Sequence, residues 1–149
     1  MKKFINFNNA GASFPFSKVN KSIINYLGEE EKFGGYYCAE LNKKKLQRFY
    51  FNLSKLINSQ EREISFVPNS TYGWNLFFNS IKLKKTDNVV ICDNEYGSNF
   101  IAIKKQQINF NKTIIDQNGQ ISIDDLCKRI NKNTKVVFLC HIASQNGNI

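Results

Sequence analysis

Between Ile64 and Ile81 the spacing of apolar positions changes period. Ile64, Phe66 and Val67 suit a buried strand that Pro68 and Asn69 stop, whereas Trp74, Leu76, Phe77, Phe78 and Ile81 recur at helical spacing. This predicts a strand over 64–67 and a helix over 70–81. The alternation then repeats. A strand over 89–92 (VVIC) leads through DNEYGSN into a helix near 98–107, a strand over 108–115 ends in the turn Gln117 to Gln120, and a helix over 122–131, with Ser122 and Asp125 as a capping box, precedes a strand over 136–140 (VVFLC). Upstream the pattern is purely helical. One apolar face (Val19, Ile23, Ile24, Tyr26, Leu27) predicts a helix from Ser17 to about Lys32, Gly34 and Gly35 break it, and a second helix is expected from Tyr37 to Asn58 with Leu41, Leu46, Phe49, Tyr50, Leu53, Leu56 and Ile57 on one side. Helices followed by a βαβα alternation predict an α/β protein with a mostly parallel sheet, whose ligands collect at the carboxyl ends of the strands.

Composition narrows the class. The 149 residues are 42% hydrophobic and 13% aromatic, spread along the whole length, which suits one globular domain with a real core. No apolar run approaches the roughly 20 residues that cross a bilayer. Met1 to Asn9 carries two lysines with no long apolar run behind them, so no membrane association and a cytoplasmic location are expected. The net charge of +9 invites a nucleic-acid reading, but the lysines are scattered and do not interleave with aromatics on one face; the run Lys43 to Lys45 with Arg48 reads as a solvated helix face. Cys38, Cys92, Cys127 and Cys140 lack metal-binding spacing and read as buried, inert thiols.

The candidate chemistry lies after the strands. Ser70 and Thr71 open a helix, where unpaired N–H groups, two hydroxyls and the positive end of the helix dipole suit a phosphate; the alternative is that Ser70 merely caps that helix. Asp93 to Tyr96 follow the second strand, and His141 to Gln145 follow the last. A phosphate grip, an aromatic ring and hydrogen-bonding groups on one edge suit a flat phosphorylated cofactor. His141, directly after a buried strand, reads as a satisfied structural residue.

The blocks FNNAGAS at 7–13, FGGYYCAE at 33–40, ISFVPNSTYGWN at 64–75, DNEYGSNF at 93–100 and KVVFLCHIASQNG at 135–147, in this order and at this spacing, resemble the front part of class V aminotransferases, the pyridoxal-phosphate fold-type I group that includes cysteine desulfurases, selenocysteine lyases and isopenicillin-epimerase-like proteins. The resemblance implies N-terminal helices (1–60) followed by the first half of the cofactor-binding large domain (61–149), an incomplete three-layer αβα fold. It implies pyridoxal 5′-phosphate as cofactor, with Ser70 and Thr71 at its phosphate, Tyr96 stacked on its ring in place of the histidine many relatives carry, and Ser144, or else Gln145, near its phenolic oxygen. Ala10 and Gly11, in the NNAG turn, match the substrate-side loop, and Tyr36 matches a position near the active site. A small amino acid as substrate and a homodimer are implied for the complete protein.

Pyridoxal chemistry also needs a Schiff-base lysine and an acidic partner for the ring nitrogen. In the family both follow the HIASQNG block. Lys104, Lys105, Lys128 and Lys135 belong to ordinary helix or strand ends, so no catalytic lysine is assigned and this stretch alone is expected to be inactive, with an unpaired strand edge. The competing expectation is a non-catalytic module that binds a phosphorylated ligand or needs a partner chain.

Overall fold

A computed structural model of the protein describes residues 4–145 and 147; Asn146, within the HIASQNG block, lies outside them. The chain divides into two compact units, Met1–Phe66 and Val67–Ile149.

The first unit is helical. Helix α1 (Ser17–Phe33) ends at Gly34, whose φ of 77° and ψ of 152° lie where only glycine is comfortable. The helix expected over 37–58 is two: α2 (Gly35–Leu41) and α3 (Lys43–Leu56). Asn42 divides them. Its side-chain amide donates to Glu29 Oε2 (2.6 Å) and to the Cys38 carbonyl (3.1 Å), and its oxygen accepts from Lys45 Nζ (2.8 Å). A buried asparagine that bonds locally in this way competes with the helix ladder, which apolar spacing alone does not register. A single 3-10 turn (Glu61–Glu63) follows, closed by a capping box in which Glu63 Oε2 accepts from the Gln60 N–H.

The strand expected over 64–67 pairs with no strand among the described residues. Ile64 is extended (φ −112°, ψ 127°), but a strand is defined by a neighbour to bond to, and Phe66, which meets the Phe49 ring edge-on, is 70% exposed.

The second unit carries the βαβα alternation as α4 (Ser70–Ser80), β1 (Asn88–Cys92), α5 (Gly97–Lys105), β2 (Asn109–Thr113), α6 (Ile123–Arg129) and β3 (Thr134–Phe138). The sheet is parallel, in the order β2-β1-β3. Strand β1 lies in the centre and every residue in it is buried, as the apolar run VVIC requires. One face carries the main core: Val89, Ile91 and Phe138 meet Phe78 of α4 and Ile103 of α5, with Trp74 stacked on Phe78 and Phe138 at ring separations of 4.9 and 4.8 Å. Helix α6 leads back from β2 to β3, and a right-handed crossover lays it on the opposite face. This is part of a three-layer αβα arrangement.

Strand β3 begins two residues earlier than VVFLC suggests, and Leu139 and Cys140 leave the ladder. Its pairing with β1 is irregular: Asn88 lies opposite Thr134, yet Val89 lies opposite Val136, so Lys135 is an extra residue. At α6 the capping box is only half made. Ser122 Oγ accepts from the Asp125 N–H, but the Asp125 carboxylate turns to the Ile114 N–H (2.8 Å) and Arg129 Nε (2.6 Å).

Candidate functional site

The start of α4 resolves the two roles open to Ser70. The cap is Asn69, whose Oδ1 accepts from the Tyr72 N–H at 2.9 Å, and Ser70 is the first helical residue. Its hydroxyl makes no hydrogen bond among the described residues. Thr71 Oγ1 lies 3.3 Å from Ser98 Oγ in the first turn of α5. The starts of α4 and α5 therefore meet through two hydroxyls, and the unpaired N–H groups and positive dipole ends of both helices lie around that contact.

Tyr96 occupies the N-cap position of α5, and its side chain is 53% exposed. The preceding Glu95 uses Oε1 to accept from the Tyr96 N–H (2.8 Å) and from Asn99 Nδ2 (3.0 Å). Asp93 is taken up by Lys112 of β2 (2.9 Å), whose ammonium also lies 4.6 Å from the centre of the Phe100 ring. A cavity of about 500 Å³ opens between α4 and α5, and Thr71, Asn75, Ser98 and Lys105 are among its lining residues. A second, of about 520 Å³, lies past β1 and β3 against Asn94, Ile121, Leu139, Cys140 and His141.

Ser144 and Gln145 are exposed in the turn after β3, beside the buried Ala143; Ser144 is not among the residues lining either cavity. His141 is exposed and forms no hydrogen bond among the described residues, so it is not the satisfied structural histidine its position suggests. In the first unit, Ala10 and Gly11 lie in an exposed turn held by Asn6 Nδ2 donating to the Ala12 carbonyl (2.9 Å) and the Ala12 N–H donating to the Asn8 carbonyl (2.9 Å). A Cβ on Gly11 would come within 2.6 Å of Asn8 Oδ1, so the Asn8 amide covers the glycine backbone on that side. Tyr36 is fully exposed.

The thiols are not all buried, contrary to expectation: Cys38 and Cys92 are buried, Cys140 is half-buried and Cys127 is exposed. Burial pushes the Cys92 thiol up, and the nearby Glu95 and Cys140 add to the rise although the Cys140 N–H, donating to its sulfur at 3.2 Å, opposes it. The half-buried Cys140 is raised by desolvation and then by Glu95. Cys127 is exposed on α6, contrary to expectation, because a helix of seven residues anchored by Leu126 turns the adjacent position outward.

Ser98 and Glu95 were not legible as site residues. The first acts through a contact across 27 positions, and the second is an ordinary loop acid until α5 is known to begin beside it. Asn69 had a signal: asparagine directly before a helical run is a preferred cap.

The Aminotransferase class-V family model matches residues 5–149. Among curated proteins, cysteine desulfurase SufS of Plasmodium falciparum is 28% identical over 96% of this chain, and cysteine desulfurase IscS of Buchnera aphidicola subsp. Schizaphis graminum is 30% identical over 87% of it. The chain spans about a third of these relatives, 32% and 35% of their lengths. Among solved structures, the cystine C–S lyase C-DES in complex with its reaction product cysteine persulfide superposes with a TM-score of 0.81 over 93% of this chain and 39% of that one, at 14% identity. At that identity the likeness speaks for the fold, and the fold it supports is the one the five sequence blocks imply. The match along nearly the whole chain, the parallel sheet and the paired helix starts agree: this chain belongs to the class-V aminotransferase family.

Proposed function

We propose that this chain provides the phosphate grip and ring platform of a pyridoxal 5′-phosphate enzyme acting on a small amino acid. The observation that carries the reading is the hydroxyl contact at the joined helix starts. Because Asn69 is the cap, the Ser70 hydroxyl is left for a ligand, and the mutually bonded hydroxyls of Thr71 and Ser98 lie next in line at the two helix starts. Tyr96, two residues before Ser98, offers a flat face to solvent rather than to the core. These residues fit a phosphorylated ring. The Glu95 carboxylate at the start of α5 bonds the Tyr96 N–H and Asn99 Nδ2 and not the hydroxyl pair itself.

When bound, the cofactor supplies an electron-withdrawing ring that stabilises negative charge developing on the substrate. Ser70, Thr71 and Ser98 hold the phosphate, Tyr96 supports the ring, and Ser144 contributes a hydroxyl from the turn after β3. Ala10 and Gly11 provide backbone for the substrate carboxylate. The attaching lysine and the acid for the ring nitrogen are expected from the part of the family's length that this chain does not span, and with them the complete protein is a transaminase, desulfurase, lyase or epimerase, working as a homodimer.

The test is a titration of the full-length protein with 4-deoxypyridoxine 5′-phosphate, which keeps ring and phosphate but has no aldehyde. It is followed through Trp74, one turn beyond Thr71. Saturable quenching that Thr71→Ala weakens by about 10- to 150-fold is expected, the loss of one hydrogen bond to a charged group being worth roughly 1.5–3 kcal/mol. Binding unaffected by Thr71→Ala together with Ser70→Ala refutes the phosphate grip. Binding of inorganic phosphate at the same hydroxyls, without any contribution from the ring, would instead favour a non-catalytic phosphate-binding module.

A further inference from the structure

Tyrosine is a poor residue for the position Tyr96 occupies. N-cap positions favour serine, threonine, aspartate and asparagine, whose short side chains carry an oxygen back to the first free N–H groups of the helix. The Tyr96 side chain makes no such bond. The preceding residue holds the junction in another way: the Glu95 carboxylate accepts from the N–H of Tyr96 itself at 2.8 Å and from the side-chain amide of Asn99 at 3.0 Å, and it brings negative charge to the positive end of α5. The Tyr96 carbonyl accepts from the N–H groups of Asn99 (3.0 Å) and Phe100 (3.2 Å). Glu95 is itself tied down, through its N–H to the Cys92 carbonyl at the end of β1 (3.1 Å) and through its Oε2, which accepts a long contact of 4.0 Å from the Cys92 thiol. The Tyr96 backbone is thus clamped on both sides while its ring stays half exposed.

We propose that Glu95 is a positioning residue, which fixes the Tyr96 backbone at the start of α5 so that the Tyr96 ring stands at the carboxyl edge of the sheet facing the ligand. The proposal rests on the cofactor reading above, since it is the ring's use as a platform that gives the arrangement a purpose. Glu95 touches no ligand. It acts through the direction in which the Tyr96 Cα–Cβ bond leaves the backbone.

The test compares Glu95→Ala, Glu95→Gln, Tyr96→Ala and the double variant Glu95→Ala/Tyr96→Ala in the full-length protein. Affinity is read with 4-deoxypyridoxine 5′-phosphate, and hydrogen exchange is followed over residues 93–100 without ligand. Glu95→Ala is expected to weaken binding about tenfold and to speed exchange by a similar factor, in line with the loss of a hydrogen bond to a charged group. Glu95→Gln keeps an accepting oxygen and is expected to recover most of both. The double variant should bind no more weakly than Tyr96→Ala alone, because a residue acting only through the ring has nothing left to act on. Additive losses would mark Glu95 as a merely structural residue and overturn the proposal, as would unchanged exchange in Glu95→Ala. If Tyr96→Ala binds as tightly as the parent, it is the cofactor reading that fails, whatever Glu95 does to exchange.

Discussion

Replacing Asn69 and Ser70 one at a time by alanine separates helix capping from ligand binding. Asn69 Oδ1 accepts the Tyr72 N–H at 2.9 Å with the asparagine backbone extended, the geometry of a working N-cap. Its loss should cost about 0.5–2 kcal/mol. Domains of about 60–100 residues lose roughly 4–8 °C of Tm per kcal/mol, so the second unit of Asn69→Ala is expected to melt several degrees lower. Ser70 is exposed and caps nothing, so Ser70→Ala should stay within about 0.5 kcal/mol of the parent. Thermal and urea unfolding followed by circular dichroism measure both, and equal m-values would show that native compactness is unchanged. If Ser70→Ala proves as destabilising as Asn69→Ala, the hydroxyl belongs to the helix and the phosphate grip loses its first donor.

Three further outcomes follow from the geometry. The Arg129 guanidinium and then the Ile114 N–H hold the Asp125 carboxyl below its ordinary value. This stabilisation is fully present above the unfolded value near pH 3.9 and is lost as the pH falls through the lower folded one, so Asp125→Asn should flatten the acid limb of an unfolding-against-pH curve below about pH 4. Gly34→Ala puts a side chain at φ 77°, ψ 152° and should cost about 1–3 kcal/mol in urea unfolding, whereas Gly28→Ala, inside α1 with open space around it, should not destabilise. Ellman's reagent should find Cys127 fast, Cys140 slower, and Cys38 and Cys92 only on unfolding; equal rates for all four would refute the burial pattern.

The central strand was legible because VVIC at 89–92 has no polar interruption and is followed by loop-forming residues, and α4, α5 and α6 were legible within two residues of their ends. What the pattern could not show depends on neighbours. Ile64 to Val67 have strand composition but no strand to bond. VVFLC is apolar throughout, so its composition does not mark where the ladder stops. Apolar spacing runs straight through Asn42, whose bonds to Glu29 and Cys38 break the helix. At the site, the hydroxyl pair of α4 and the ring of Tyr96 were readable as residue types in loops after strands, whereas the partner of Thr71 required the crossover that brings α5 alongside α4.

The extra residue at the start of β3 has an effect beyond its own position. Side chains alternate between the faces of a sheet, so one inserted residue exchanges the faces of everything after it. With Lys135 looped in, Val136 and Phe138 meet Val89 and Ile91 on the Trp74 side. Were the bulge straightened instead, with Lys135 taken into the ladder, Lys135 would fall opposite Val89 and Val137 opposite Ile91, so a lysine and Val137 would replace Val136 and Phe138 against the aromatic cluster. The bulge at one surface lysine therefore sets the phase of the rest of β3 and decides which of its side chains join the Trp74 cluster.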